Sequence, residues 1–111
     1  MSADGTEVTP LRLSASRITA GTVRLAVAGE VDLGTEDALR QALTRLMGDG
    51  GVSRLVVDFA DVSFLDASGI AALLAGYRYA EGRGIHFAVV NCRPKPLRVF
   101  EILALDKLLV G

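Results

Sequence analysis

The run Leu55-Val56-Val57-Asp58-Phe59 constrains this chain most, because it is short, almost wholly apolar, rich in β-branched residues and bounded by turn formers. Such a segment suits a strand covered on both faces, the environment of a parallel sheet. Ile85-His86-Phe87-Ala88-Val89-Val90 repeats the pattern. Between the two, Ile70, Leu73, Leu74 and Tyr77 fall at i, i+3, i+4 and i+7, which predicts a helix from about Ser68 to Ala80, ended by Gly82 and Gly84. Strand, helix and strand in that order imply a right-handed crossover with the helix packed on the sheet.

The N-terminal half carries the same grammar. Leu11, Leu13 and Ala15 alternate with polar residues, as do Val23, Leu25 and Val27, and the Thr19-Ala20-Gly21-Thr22 connection joins them as an antiparallel hairpin, so the first strand is an edge strand. Gly34-Thr35-Glu36-Asp37 opens another helix, with Thr35 as N-cap and acids complementing the dipole. Its buried stripe is Leu39, Leu43, Leu46 and Met47, and Gly48 and Gly50-Gly51 stop it. After the Ile85–Val90 strand, Pro94 and Pro96 sit where the first turn of a third helix tolerates them, ahead of Leu97, Phe100 and Leu103; Leu108-Leu109-Val110 closes the chain. The expectation is an α/β domain with a mixed four- to five-stranded sheet, its first strand antiparallel at the edge and the remainder mainly parallel.

At 111 residues the chain can bury a core without disulfides or a structural metal. Residues 1–9 are expected to be a flexible leader and residues 10–111 the domain. The leader carries acids and no apolar core, so it is no secretory signal, and no apolar stretch is long enough to insert in a membrane; a cytoplasmic protein is expected. One cysteine, Cys92, and one histidine, His86, point away from an internal disulfide, a metal centre or any cofactor. Both read as partly buried structural residues. A formal charge of −1 with dispersed basic residues gives no footprint for nucleic acid.

The chemistry concentrates in Phe64-Leu65-Asp66-Ala67-Ser68-Gly69-Ile70, where Asp, Ser and Gly arrive at the start of a helix. The free amides and positive dipole end there favour an anion, so Ser68 is a good place for a phosphate. Ser is also a favoured N-cap and Asp66 suits a turn, and local physics alone leaves that plainer reading open. As a nucleophile Ser68 lacks both a G-x-S-x-G elbow and a general base, so the hydroxyl reads as a substrate and not a catalyst. A helix face of Gly69, Ala72, Gly76 and Tyr79, opposite the apolar stripe, is expected to point outward and dock a partner.

Gly29-Glu30-Val31-Asp32, the helix with Leu39 and Leu43, the strand Leu55–Phe59 and the D-x-S-G helix start at Asp66–Gly69 together resemble the STAS domain of bacterial anti-sigma factor antagonists, over roughly residues 10 to 110. The order and spacing of the two motifs carry the resemblance. It implies partner switching: an anti-sigma factor that is also a serine kinase binds the unphosphorylated protein and frees its sigma factor, phosphorylation of the serine matching Ser68 ends the binding, and a PP2C-type, metal-dependent phosphatase restores it. Asp66 matches the motif acid, and Glu30 and Asp32 match an acidic loop beside the phosphorylation site; a turn or cap role for Asp32 stands beside that reading. The expected state is a monomer or weak dimer. The alternative is a STAS scaffold or accessory subunit of a transport or stress-signalling complex, in which Ser68 need not be phosphorylated.

Overall fold

A computed structural model describes residues 11–111. The leader expected over residues 1–9 lies outside the described residues. Strand β1 (Arg12–Arg17) turns into β2 (Thr22–Val31), helix α1 (Glu36–Gly48) leads to β3 (Arg54–Leu65), and α2 (Ala67–Gly82) leads to β4 (His86–Val90). Helices α3 (Pro94–Ile102) and α4 (Asp106–Leu109) follow. The sheet order is β1-β2-β3-β4, with β1 antiparallel to β2 and the other pairs parallel. Val110 adds an isolated parallel bridge to Val89, a rudiment of a fifth strand.

Period-2 patterning sets the register. Val23 lies opposite Leu55 and Leu25 opposite Val57, which in turn face Phe87 and Val89, so these buried residues form one continuous sheet face. Leu39, Ala42, Leu43 and Met47 of α1 are buried, with Leu46 only half-buried. Each fully buried Leu, Val or Phe contributes about 1.5–3 kcal/mol relative to exposure, so this core is the main stabilising term. Phe59 and Phe100 bring α3 into it, with ring centroids 6.3 Å apart. Leu103, expected to line α3, is its exposed C-cap.

Strand β3 reaches Leu65, well past the Phe59 expected from the apolar run. Two register shifts against β2, between Ala26 and Ala28 and between Gly29 and Glu30, each place an extra residue on β3. Such bulges break the alternation by which a strand is read. Gly29 takes a φ of 112° at the second of them, a conformation glycine adopts without strain. Strand β4 pairs with β3 only as far as Asp58.

Helix α2 corrects the expected faces. Gly69, Ala72 and Gly76 are buried with Ile70, Leu73 and Ala80, while Leu74 and Tyr77 are half-buried. The outward docking face assigned to Gly69, Ala72 and Gly76 is therefore overturned, and Tyr79 is half-buried beneath the Arg83 guanidinium, 4.6 Å from its ring. The reason is steric: a Cβ on Gly76 would come within 2.9 Å of Leu43 Cδ1 and 3.2 Å of the Phe87 ring. Small residues turn inward because α2 lies close to α1 and β4. The exposed positions of this helix include Ala67, Ala71, Ala75 and Arg78.

His86 is also corrected, standing exposed at the first position of β4. Cys92 is half-buried, and burial pushes its thiol pKa up to about 11, as expected for an inert thiol. Asp58, the one acid inside the apolar run, is buried, and its carboxylate accepts from Arg24 Nε at 2.9 Å, Asn91 Nδ2 at 3.2 Å and the Ala60 amide at 2.9 Å. Burial acts to raise its pKa, but those donors outweigh it and hold the carboxyl below its ordinary value. This network fixes the first bulge to the β4 end.

Candidate functional site

Strands β2 and β3 finish side by side, Val31 opposite Leu65, so the loops that follow them meet at the carboxyl edge of the parallel strands. That edge is where open α/β sheets place their binding sites. The Asp66 amide donates to the Val31 carbonyl at 3.2 Å, which ties the Ser68 loop to the Asp32 loop through backbone.

Asp66, in extended conformation, is the N-cap of α2. One oxygen, Oδ1, accepts from the Ser68 amide at 2.9 Å, the Gly69 amide at 3.1 Å and the Ser68 hydroxyl at 2.5 Å. Ser68 thus stands one residue inside the helix and is not its cap; the capping alternative belongs to Asp66. The Ser68 hydroxyl bond, supported by the two amides, holds the Asp66 carboxyl below its ordinary pKa against the opposing effect of burial. Ser68 itself is partly exposed.

Asp32 organises the neighbouring turn. Its Oδ1 accepts from the Gly34 amide at 2.9 Å, its amide donates to the Thr35 hydroxyl oxygen at 3.0 Å, and its carbonyl accepts the Glu36 amide at 2.8 Å. Thr35 caps differently from expectation: its hydroxyl donates to the Glu30 carbonyl at 2.7 Å and makes no cap bond into α1. The turn reading of Asp32 therefore holds whatever else the residue does. Glu30 is exposed and its register partner on β3 is Phe64.

The structure thus brings Glu30, Asp32, Asp66 and Ser68 to one edge and turns Gly69, Ala72 and Gly76 into the core. Sequence reading missed two apolar residues at that edge: Leu33, 79% exposed at the tip of the Asp32 turn, and Phe64, 47% exposed. A leucine between Asp32 and Gly34 was the available signal for the first; the β3 bulges hid the second. No group of His, Cys, Asp and Glu among the described residues could hold a metal ion. No helix among them is long and apolar enough to cross a membrane.

A mixed sheet with one antiparallel edge strand, helices crossing over its parallel part, and a D-x-S-G helix start beside an acidic turn defines a class of small binding domain. The family model described as "Mlab, STAS domain" matches residues 14–111, and the chain belongs to the STAS domain family. The anti-sigma-F factor antagonist RsfB of Mycobacterium tuberculosis is 32% identical over 87 residues, covering 78% of this chain and 70% of that protein. The crystal structure of an anti-sigma factor antagonist from Mycobacterium paratuberculosis superposes with a TM-score of 0.80 at 30% identity, covering 93% of this chain and 87% of that one. The anti-sigma factor antagonist SpoIIAA in its unphosphorylated form shares the fold, with a TM-score of 0.77 at 23% identity over 89% of this chain and 86% of that one.

Proposed function

We propose that this protein is an anti-sigma factor antagonist whose unphosphorylated form binds an anti-sigma factor serine kinase and whose Ser68 is the phosphorylation switch. The observation that carries the reading is the placement of a partly exposed serine hydroxyl at the start of α2, joined by backbone to an acidic turn whose tip carries exposed Leu33. Relatives named as antagonists of anti-sigma factors support the same role.

The hydroxyl is a phosphate acceptor and not a nucleophile toward other substrates. Its hydrogen-bond partner is a carboxylate held below the ordinary range, a poor base at neutral pH. His86 pairs with Arg54 at the first residue of β3, whereas Ser68 follows the last, so the imidazole lies a whole strand away, on the order of 30 Å at the usual rise per residue.

Phosphate on Ser68 adds about −1.5 to −2 charges beside Asp66. The amides of Ser68 and Gly69 already serve Asp66, so two anions compete for one pair of donors and at least one of them is left without it. A charge left buried and unpaired at an interface costs about 3–5 kcal/mol, which at about 1.4 kcal/mol per decade is at least a hundredfold in affinity. Dephosphorylation by a PP2C-type phosphatase would restore the cytoplasmic binder. The docking surface consists of Leu33 and Phe64, the acids Glu30, Asp32 and Asp66 around them, and Ser68.

The test incubates the protein with the serine-kinase anti-sigma factors of its source genome and ATP, then measures intact mass and binding. One added phosphate, absent from Ser68→Ala and accompanied by loss of binding, is the expected result. Phosphate on another residue, or phosphorylated protein that binds as tightly as before, would refute the reading.

A further inference from the structure

In the unmodified protein the N-cap of α2 carries the one anion at this helix start, the Asp66 carboxylate. Its Oδ1 gathers the Ser68 hydroxyl and the Ser68 and Gly69 amides at 2.5, 2.9 and 3.1 Å, and α2 has no acid in its first turn. The frame around this oxygen is fixed. The Asp66 amide is held by the Val31 carbonyl at 3.2 Å, and Gly69 is so close to Val31 and Leu65 that even a Cβ would meet their side chains at 2.6 Å. The helix start therefore has little room to move inward, so side-chain rotation is the readiest way to accommodate two anions there.

Phosphorylation changes both partners of the shortest bond. Transfer of the γ-phosphoryl group of ATP to Ser68 Oγ forms an O–P bond, breaks the phosphoanhydride bond, and releases ADP and the hydroxyl proton. The donor that Asp66 held is gone, and a dianion that seeks the same two amides stands in its place. We infer that Asp66 is a positioning residue of the switch: it holds the donors that a phosphate on Ser68 requires, and phosphorylation drives its carboxylate out of the cap. This rests on the reading of Ser68 as the phosphorylated residue. The expelled carboxylate joins the phosphate on the docking surface, so one covalent event alters two neighbouring charges there.

Phosphoserine placed at residue 68 by genetic encoding tests this without a kinase. Asn caps a helix about as well as Asp, so Asp66→Asn keeps the cap and removes the charge. Phosphoserine is expected to lower the Tm of the parent by roughly 4 °C or more, and that of Asp66→Asn by less than half as much. In the parent pair, NMR should show the Asp66 carboxyl carbon and the Gly69 amide shifting together on phosphorylation. Equal Tm losses in the two backgrounds, or an unmoved Asp66 carboxyl carbon, would overturn the inference. Anti-sigma factor binding by the same phosphoprotein separates the two ideas: binding lost with equal Tm losses defeats only the role of Asp66, and binding retained with unequal Tm losses defeats only the switch.

Discussion

Gly69 sits so close to Val31 that a Cβ on it would stand 2.9 Å from the Val31 carbonyl oxygen, with Val31 Cγ1 and Leu65 Cδ1 both at 2.6 Å. That carbonyl is the acceptor for the Asp66 amide, so it cannot retreat without loosening the link between the two loops. Gly69→Ala gains up to about 1 kcal/mol of helix propensity, but overpacking a site whose nearest neighbours include backbone costs about 1–3 kcal/mol. The expected net effect is a loss of about 1 kcal/mol or more in urea denaturation. A Gly69→Ala variant as stable as the parent would show that the helix start is not wedged.

The inward turn of Ala72 gives a sharper contrast. Ala72 is completely buried, whereas Ala75, on the same helix, is exposed. Ala72→Arg places an unpaired charge in the core and should cost at least about 3 kcal/mol, a large share of the roughly 5–15 kcal/mol that holds a domain of this kind folded. Ala75→Arg should stay within about 0.5 kcal/mol of the parent. Thermal melts of the two variants decide the matter, and similar losses in both would mean that α2 presents a different face to the core.

These residues also show where the chain was legible from sequence and where it was not. Val23, Leu25 and Val27 alternate with polar residues, and Leu55 to Phe59 is a β-branched run, so both strands and their parallel order could be read directly. Beyond Phe59 the bulges expose Ala60, Asp61, Ser63 and Phe64 and leave no period to follow. Helix α2 is apolar on nearly every side, so hydrophobicity cannot choose its inner face; the fit of Gly76 beneath Leu43 and Phe87 chooses it, and that fit is a property of the assembled layers. At the site, the D-x-S-G spacing located Ser68, but the division of labour between Asp66 as cap and Ser68 as donor depends on the carboxylate's direction.

In the proposed docking surface the apolar area comes from Leu33 and Phe64, both exposed. Interface energy concentrates in a few residues whose truncation costs more than about 1 kcal/mol, and large side chains surrounded by polar groups are the usual ones. Leu33→Ala and Phe64→Ala should each weaken anti-sigma factor binding by about fivefold or more while leaving Ser68 open to phosphorylation. Both residues are substantially exposed, so the melting temperatures should change little. Titration calorimetry with the anti-sigma factor checks this, and unaltered affinity in both variants would move the contact surface elsewhere on the domain.

Asp66 also gives the protein a defined response to acid. Its carboxyl is held low chiefly by the Ser68 hydroxyl, with the Gly69 and Ser68 amides adding to the effect, so the charged form binds its donors better than the protonated form does. A folded pKa below the unfolded value of about 3.9 means that the unfolded chain takes up protons first as the pH drops. The capping contribution is therefore complete above about pH 5, declines as the pH falls through the unfolded value, and is gone once the folded group is protonated. Asp58 is depressed as well and declines in the same direction, so the parent retains some acid sensitivity when Asp66 is replaced. Urea midpoints measured between about pH 6 and pH 3 should fall more steeply for the parent than for Asp66→Asn, whose amide caps the helix without titrating. Parallel slopes would mean that the Asp66 carboxylate gains nothing from its three donors on folding, and the geometry at the start of α2 would then be incidental to stability.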